Sequence, residues 1–336
     1  MKKEELEKIK KSNKVYEFLL NDNDVVNDFI DRGVIIRTPR CDKEDGSERS
    51  LSFRKISDIS KAFTLTNEST FYKYANYADR RIRVLHSSAL MPLLLFYKVS
   101  LENSLYVDLG RKEPVKFDEI YFETPNKVFD NTRPSKIDIA LVSNSSKIVL
   151  YLESKFTEYL SGKSSSNFSL KYKNMVREIL GPNQPAEENK KYYIRGKLAE
   201  KDIVYGEGIK QMIAHFIGVC KGGTDSNAIN DYIKNKGYSV LLGGIVYKWD
   251  KRFGMYSDLF QRVTSKMNEL LNKHKERTGR GSDLKVTDID PIVNNAPQDF
   301  SVLENLLTYQ NLLILEENKT FKENIERNIK QFYKLD

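Results

Sequence analysis

Two apolar runs joined by three small polar residues constrain this chain more than any other feature: "SKIDIALVS" (135–143), then "NSS", then "KIVLYLESK" (147–155). Each run is too short for a buried helix and is rich in β-branched and aromatic side chains, so both read as strands. The linker suits a tight antiparallel hairpin. Alternation along an extended chain puts Ile137, Ile139 and Leu141 on one side of the first strand and Lys136, Asp138 and Ala140 on the other. In the second strand Val149, Tyr151, Glu153 and Lys155 share a side, opposite Ile148, Leu150 and Leu152. An acid therefore interrupts the first strand, and an acid and a base close the second.

If these strands pair, Asp138 can lie beside Glu153 and Lys155. Two carboxylates at that separation can hold a hard divalent cation through oxygen ligands. A lysine there can steady an attacking hydroxide or the charge that develops on phosphorus. The plain alternative is a surface ion pair, which contributes about 0–1 kcal/mol and does not require a buried strand to present it. The spacing alone decides little. An acid, any residue and a lysine occur four times, at Glu153-Ser154-Lys155, Glu188-Asn189-Lys190, Asp283-Leu284-Lys285 and Glu317-Asn318-Lys319. Only the first ends an alternating apolar strand and follows a strand with an inward acid 15 residues earlier.

Around the hairpin the chain alternates between helical and extended patterns. Residues 1–76 show broken helical periodicity, interrupted by the polar "TPRCDKEDGSERS", which reads as an exposed loop or flexible hairpin. This part is expected to be a helical N-terminal appendage. "DRRIRVLHSSALMPLLLFYKVS" is apolar enough for a buried helix over 80–100, with Pro92 as a kink or restart. "VKFDEIYFET" (115–124) is a further strand, "YGEGIKQMIAHFIGVC" a helix, and "GYSVLLGGIVYKW" a strand buried on both faces. The order helix, three strands, helix, strand defines an α/β core over 77–254, with a polar insertion at 161–203. Residues 255–336 read as mainly helical, apart from a strand-like "DLKVTDI" near 283.

Further candidates cluster near this core. In the helix after the insertion, Ile209, Met212, Ile213, Phe216 and Ile217 form an apolar stripe, while Gln211 and His215 share the opposite face. That face is either solvated or turned towards the site, where both side chains would reach the scissile phosphate or the water network around a metal. Glu123, closing "YFETP", is either a rim residue or a further acid of the site. "SGKSSSNFSLKYKNMVR" carries Lys163, Lys171, Lys173 and Arg177 with no acid, interleaved with Phe168 and Tyr172. It is either a soluble loop or a DNA contact, basic side chains neutralising phosphates and rings stacking on bases. The Gly162-Lys163-Ser164 triplet inside it is not a phosphate-cradling loop, because the glycine that such a loop needs is replaced by Thr157.

Asp138, the triplet Glu153-Ser154-Lys155 and the order of elements around them resemble the PD-(D/E)xK nuclease superfamily, the restriction-endonuclease-like fold, over residues 80–250. "LHSS" (85–88), "ESKFTE" (153–158) and "QMIAH" (211–215) are similar to a poorly characterised bacterial branch of it. Asp138 follows Ile137 where the motif has proline, the nearest proline being Pro134. The acid often found near the first helix has only Asp79 and Glu102 as counterparts, so a further metal ligand is unassigned. The resemblance implies a mixed central sheet flanked by helices, with helical N- and C-terminal appendages. It implies an endonuclease that uses Mg2+ or Mn2+ to hydrolyse double-stranded DNA. Asp138, Glu153 and the Ser154 carbonyl would be its ligands and Lys155 its electrostatic and proton-handling group. The terminal regions would supply target recognition or the contacts of a homodimer, in a restriction or defence role. Two other readings stay open: a non-catalytic nucleic-acid-binding module on the same fold, and a structure-specific repair nuclease or ribonuclease.

Composition agrees with these expectations. Lys and Arg number 55 against 47 Asp and Glu, a net charge of +8 that favours polyanionic partners. Two cysteines and three histidines exclude a disulfide framework and a multi-cysteine or histidine-rich zinc site. The charged start "MKKEELEKIKK" does not have the form of a secretory signal, and "ALMPLLLFY" and "VLLGGIVY" are too short to span a membrane. A cytoplasmic location is expected.

Overall fold

The structure, a computed structural model, describes residues 24–39, 49–63, 65, 68–75, 80–85, 87–128, 134–156, 167–169, 191–193, 195–196, 203–204, 207–222, 228–248, 252–280, 293 and 295–328. In chain order the early elements are α1 (Asp24–Asp31), β1 (Ile35–Pro39), β2 (Arg49–Phe53), α2 (Ile56–Ala62), α3 (Glu68–Ala75), α4 (Leu90–Phe96), β3 (Leu105–Val107) and β4 (Val115–Phe117). The central elements are β5 (Glu119–Asn126), β6 (Ser135–Ser143), β7 (Ile148–Lys155), four short strands β8 (Asn167–Ser169), β9 (Lys191–Tyr193), β10 (Arg195–Gly196) and β11 (Ile203–Val204), then α5 (Glu207–Cys220) and β12 (Ser239–Val246). The last are α6 (Arg252–Arg280), β13 (Phe300–Val302), β14 (Leu307–Thr308), α7 (Tyr309–Ile314) and α8 (Lys319–Asn328).

Among the described residues, one unit takes in Thr124–Tyr309 and the other the residues up to Glu123 and from Gln310 onward. In the second unit Asn318 ties the C-terminal part to β3, its side chain accepting from the Tyr106 amide at 2.8 Å and donating to the Tyr106 carbonyl at 2.7 Å. β1 and β2 pair antiparallel here, Ile35 opposite Phe53, so the region before residue 76 holds a strand pair as well as helices. The β-branched "VII" and the Leu51 and Phe53 pair favour extended backbone over the helix that their neighbours suggest. The helix expected over 80–100 is confined to α4, preceded by a 3-10 turn at Arg80–Arg83. Pro92 explains the shortening. It stands in the first helical turn, where its missing N–H leaves no bond unmade, and so marks a helix start.

The other unit is built on a mixed six-stranded sheet of order β13-β12-β7-β6-β5, with β14 also paired to β12, and it has helices packed against it. The division between the units falls inside β5. This is the α/β, restriction-endonuclease-like core that the order of elements implies. β6 and β7 form the expected hairpin, Ser143 opposite Ile148 and Ile139 opposite Leu152. β12 returns parallel to β7, reached by a crossover that contains α5. All eight residues of β7 are buried, as is β12 after its first residue. Packing of this density explains the consecutive glycines of β12. A Cβ on Gly244 would fall within 2.8 Å of the Phe260 ring and 2.9 Å of Leu306.

After residue 255 the described residues hold, beside the helices, two short strands that the sequence pattern does not announce, β13 and β14, both paired parallel with β12. Strands of three and two residues are too short to show an alternating pattern in sequence. The strand expected near 283 lies outside the described residues.

Candidate active site

β6 and β7 bring Asp138 and Glu153 to the same end of the hairpin. The backbone ladder between the strands runs to Ile139 and Leu152, and beyond it the Asp138 side chain takes over, Oδ2 accepting the Ser154 amide hydrogen at 2.8 Å. That bond fixes one carboxylate oxygen of Asp138 against the backbone between the other two expected site residues. Glu153, Ser154 and Lys155 are each at least 97% buried, and Asp138 is 7% exposed. An exposed ion pair is therefore excluded as the explanation of the motif.

Glu153 is gripped from two sides. Lys155 Nζ donates to Glu153 Oε1 and, at 2.9 Å, to the Ser154 carbonyl. His215 Nε2 lies 2.6 Å from Glu153 Oε2. An ionised carboxylate can only accept, so Nε2 carries the hydrogen, and the Ser135 hydroxyl sits 3.2 Å from Nδ1 on the far side of the ring. Burial acts against ionisation of Glu153, but the charges of Lys155 and His215 and their hydrogen bonds outweigh it and hold its carboxyl down to about 2, from an ordinary 4.5.

α5 supplies His215 because its apolar stripe docks on the sheet. Ile209, Met212, Ile213, Phe216 and Ile217 are all buried, and α5 packs against β6, β7 and β12. The face opposite that stripe is not solvated at His215, which is fully buried, while Gln211 one turn earlier is partly buried. The helix is also held from β5, where Asn126 Nδ2 donates to the His215 carbonyl at 3.1 Å.

Three further residues complete the site without a legible signal in sequence. Ser135 orients His215, Asn126 anchors its backbone, and Tyr309 meets the Ser154 hydroxyl at 2.7 Å. Ser135 and Asn126 sit at strand ends, where a polar residue is commonplace, and Tyr309 is 155 positions from its partner. Glu123 lies on β5, buried, with a backbone φ of 52° that non-glycine residues rarely adopt. Its neighbour Thr124 is also buried, with a hydroxyl that has no partner among the described residues. Strain and an unsatisfied group side by side mark this stretch of β5 as unusual. Lys163, Lys171, Lys173 and Arg177 lie outside the described residues.

The described residues contain no group of three or more His, Cys, Asp or Glu side chains placed to hold a metal ion. The donor set nonetheless suits a hard cation. Glu153 Oε1 and the Ser154 carbonyl already converge on one cationic group, the Lys155 ammonium, and both are oxygen donors of the kind that Mg2+ and Mn2+ take. Among the described residues no helix is long and apolar enough to cross a membrane.

No curated protein and no solved structure matches the chain. One family does, described as Restriction Endonuclease associating with ARP (REase-ARP), over residues 30–219. The match takes in β6, β7 and α5 almost to its end, with Asp138, Glu153, Lys155 and His215 all inside it. It covers more than half of the 336 residues, and the chain belongs to this restriction-endonuclease family.

Proposed function

We propose that the chain is a divalent-metal-dependent endodeoxyribonuclease of the PD-(D/E)xK kind, acting on double-stranded DNA. The observation that carries this reading is a buried carboxylate, Glu153, held ionised by Lys155 and His215 at the strand end where the neighbouring strand presents Asp138. A purely structural core has little use for such a cluster, because desolvating the charges offsets most of their attraction. Membership of a restriction-endonuclease family supports the same reading.

Asp138, Glu153 and the Ser154 carbonyl would hold Mg2+ or Mn2+, which when bound supplies Lewis-acid activation of water and phosphate at neutral pH. The chain's own groups do the rest. Lys155 places its ammonium beside the charge that develops on phosphorus as water adds and one P–O ester bond breaks. His215, oriented by Ser135, fixes the direction of the Glu153 carboxylate. Gln211 is positioned one helical turn away to donate to a phosphate oxygen. A restriction or defence role, a cytoplasmic setting and a homodimeric assembly belong to the same proposal, with Lys163, Lys171, Lys173 and Arg177 contacting the DNA backbone.

The test incubates the protein with plasmid, single-stranded DNA and RNA, each with magnesium and with excess chelator, beside Lys155→Ala, Asp138→Asn and the double variant. Plasmid cutting should require the metal and fall by orders of magnitude in either single variant. The double variant should be little worse, since catalytic groups acting as a unit are strongly non-additive. Only Asp138→Asn should be partly rescued by high magnesium. Cutting at the parent rate by folded single variants, or undiminished cutting in chelator, refutes the proposal. Metal-independent DNA binding without any cutting would favour a binding module on the same fold.

A further inference from the structure

Successive side chains of β7 alternate, so within Glu153-Ser154-Lys155 the Ser154 side chain faces away from the two charged ones. Its backbone does the opposite. Registered pairing between β6 and β7 runs to Ile139 and Leu152, and past that point the Ser154 amide donates to Asp138 Oδ2 at 2.8 Å while its carbonyl accepts from Lys155 Nζ at 2.9 Å. The two peptide groups that the site uses at Ser154 are thus engaged by side chains of the site.

The third polar group of Ser154, its hydroxyl, meets the Tyr309 hydroxyl at 2.7 Å, with Ser154 fully buried and Tyr309 1% exposed. The sheet register delivers Tyr309 to this place. Ser154 stands opposite Ile245 of β12, which stands opposite Leu307 of β14, and Val246 stands opposite both Lys155 and Thr308. Tyr309 follows directly. Its side chain reaches back over β12, across two strand spacings of about 4.8 Å each, to the residue that separates Glu153 from Lys155. Filling space does not explain a hydroxyl at both positions. Phenylalanine and alanine would occupy the same volume, and exchanging both partners of a buried hydrogen bond for apolar groups is nearly neutral for stability. Tyr309 also lies beyond residues 30–219, the extent of the family match.

We propose that Tyr309 is a positioning residue of the site: through the Ser154 hydroxyl it fixes the Ser154 peptide, and with it the direction of the carbonyl that takes the metal. The inference rests on the reading of that carbonyl as a ligand of Mg2+ or Mn2+. Tyr309 touches neither cation nor substrate, because it meets Ser154 on the face of β7 opposite the Glu153 and Lys155 side chains. Its effect is on geometry. A hard cation is exacting about the direction of its oxygen donors, and the groups behind those donors hold that direction.

Mn2+ is titrated calorimetrically into the full chain, Tyr309→Phe, Ser154→Ala and the double variant, and urea unfolding of each is followed without metal. Each single variant should bind Mn2+ about tenfold more weakly, the low end of the loss that follows removal of an outer partner of a metal ligand. Each should also unfold at lower urea, since one hydroxyl is left buried without the other. The double variant separates positioning from packing. With both hydroxyls gone its urea midpoint should return towards that of the parent, whereas its Mn2+ affinity should stay as low as in the single variants. Tyr72→Phe removes a hydroxyl pair of the same kind, Ser60 with Tyr72 at 2.9 Å, and should leave Mn2+ binding unchanged. Affinity that recovers with the midpoint in the double variant, that is unchanged in the folded single variants, or that falls equally in Tyr72→Phe overturns this inference alone. A parent chain that binds no Mn2+ overturns it together with the metal reading.

Discussion

Burial alone would raise the Glu153 carboxyl, and Lys155 and His215 beside it reverse that direction, which gives the residue a defined acid signature. Its folded-state pKa is depressed to about 2 from 4.5, so the stabilisation it provides is fully present above the higher value and is lost as pH falls through the lower. Glu153→Gln keeps the shape and removes the charge. In denaturant titrations from neutral pH down to about 2, the stability difference between parent and Glu153→Gln should therefore shrink steadily below the ordinary carboxylate range. A difference that stays constant across that range would mean that Lys155 and His215 do not hold the charge. The sequence made Asp138, Glu153 and Lys155 legible because strand alternation has a fixed period of two. It left His215 ambiguous, since a histidine opposite an apolar stripe reads equally as solvated. Ser135 and Tyr309 were not legible at all, because their partners are set by tertiary placement.

At the scale of elements, the register of α5 against the sheet depends on one absent side chain. Gly218 lies where the side chain of Asn126 crosses the helix, and a Cβ there would come within 2.7 Å of Asn126 Oδ1 and closer still to its nitrogen. Asn126 cannot easily withdraw, because its amide is bonded to the His215 carbonyl. Alanine is the better helix former by about 1 kcal/mol, whereas overpacking at a constrained contact costs about 1–3 kcal/mol. Gly218→Ala should therefore lose stability on balance, by up to about 2 kcal/mol in urea unfolding. A variant as stable as the parent would show that α5 can slide freely over β5. The β6–β7 hairpin, α5 and β12 were readable because each shows several turns or alternations of its own period. β13 and β14 were not, since strands so short depend on the edge of β12 to exist.

For the whole molecule, the net charge of +8 sets a general attraction for polyanions, and the question is where it is concentrated. If Lys163, Lys171 and Lys173 neutralise phosphates, replacing all three by alanine should flatten the dependence of log affinity on log salt by about 0.9 for each phosphate left without its cation. Fluorescence anisotropy with a short duplex over a range of salt measures that slope. An unchanged slope would return the basic segment to a role in solubility. The Ser154–Tyr309 hydrogen bond adds a constraint of another kind, that of time. Tyr309 follows Ser154 by 155 positions, and β13 and β14, which border β12, are also made late. At about 5–20 residues per second, a ribosome takes roughly ten to thirty seconds to pass from one partner to the other. Throughout that interval the nascent hairpin can carry its acids and its lysine but not the hydroxyl that meets Ser154, so the centre is finished only once Tyr309 has followed.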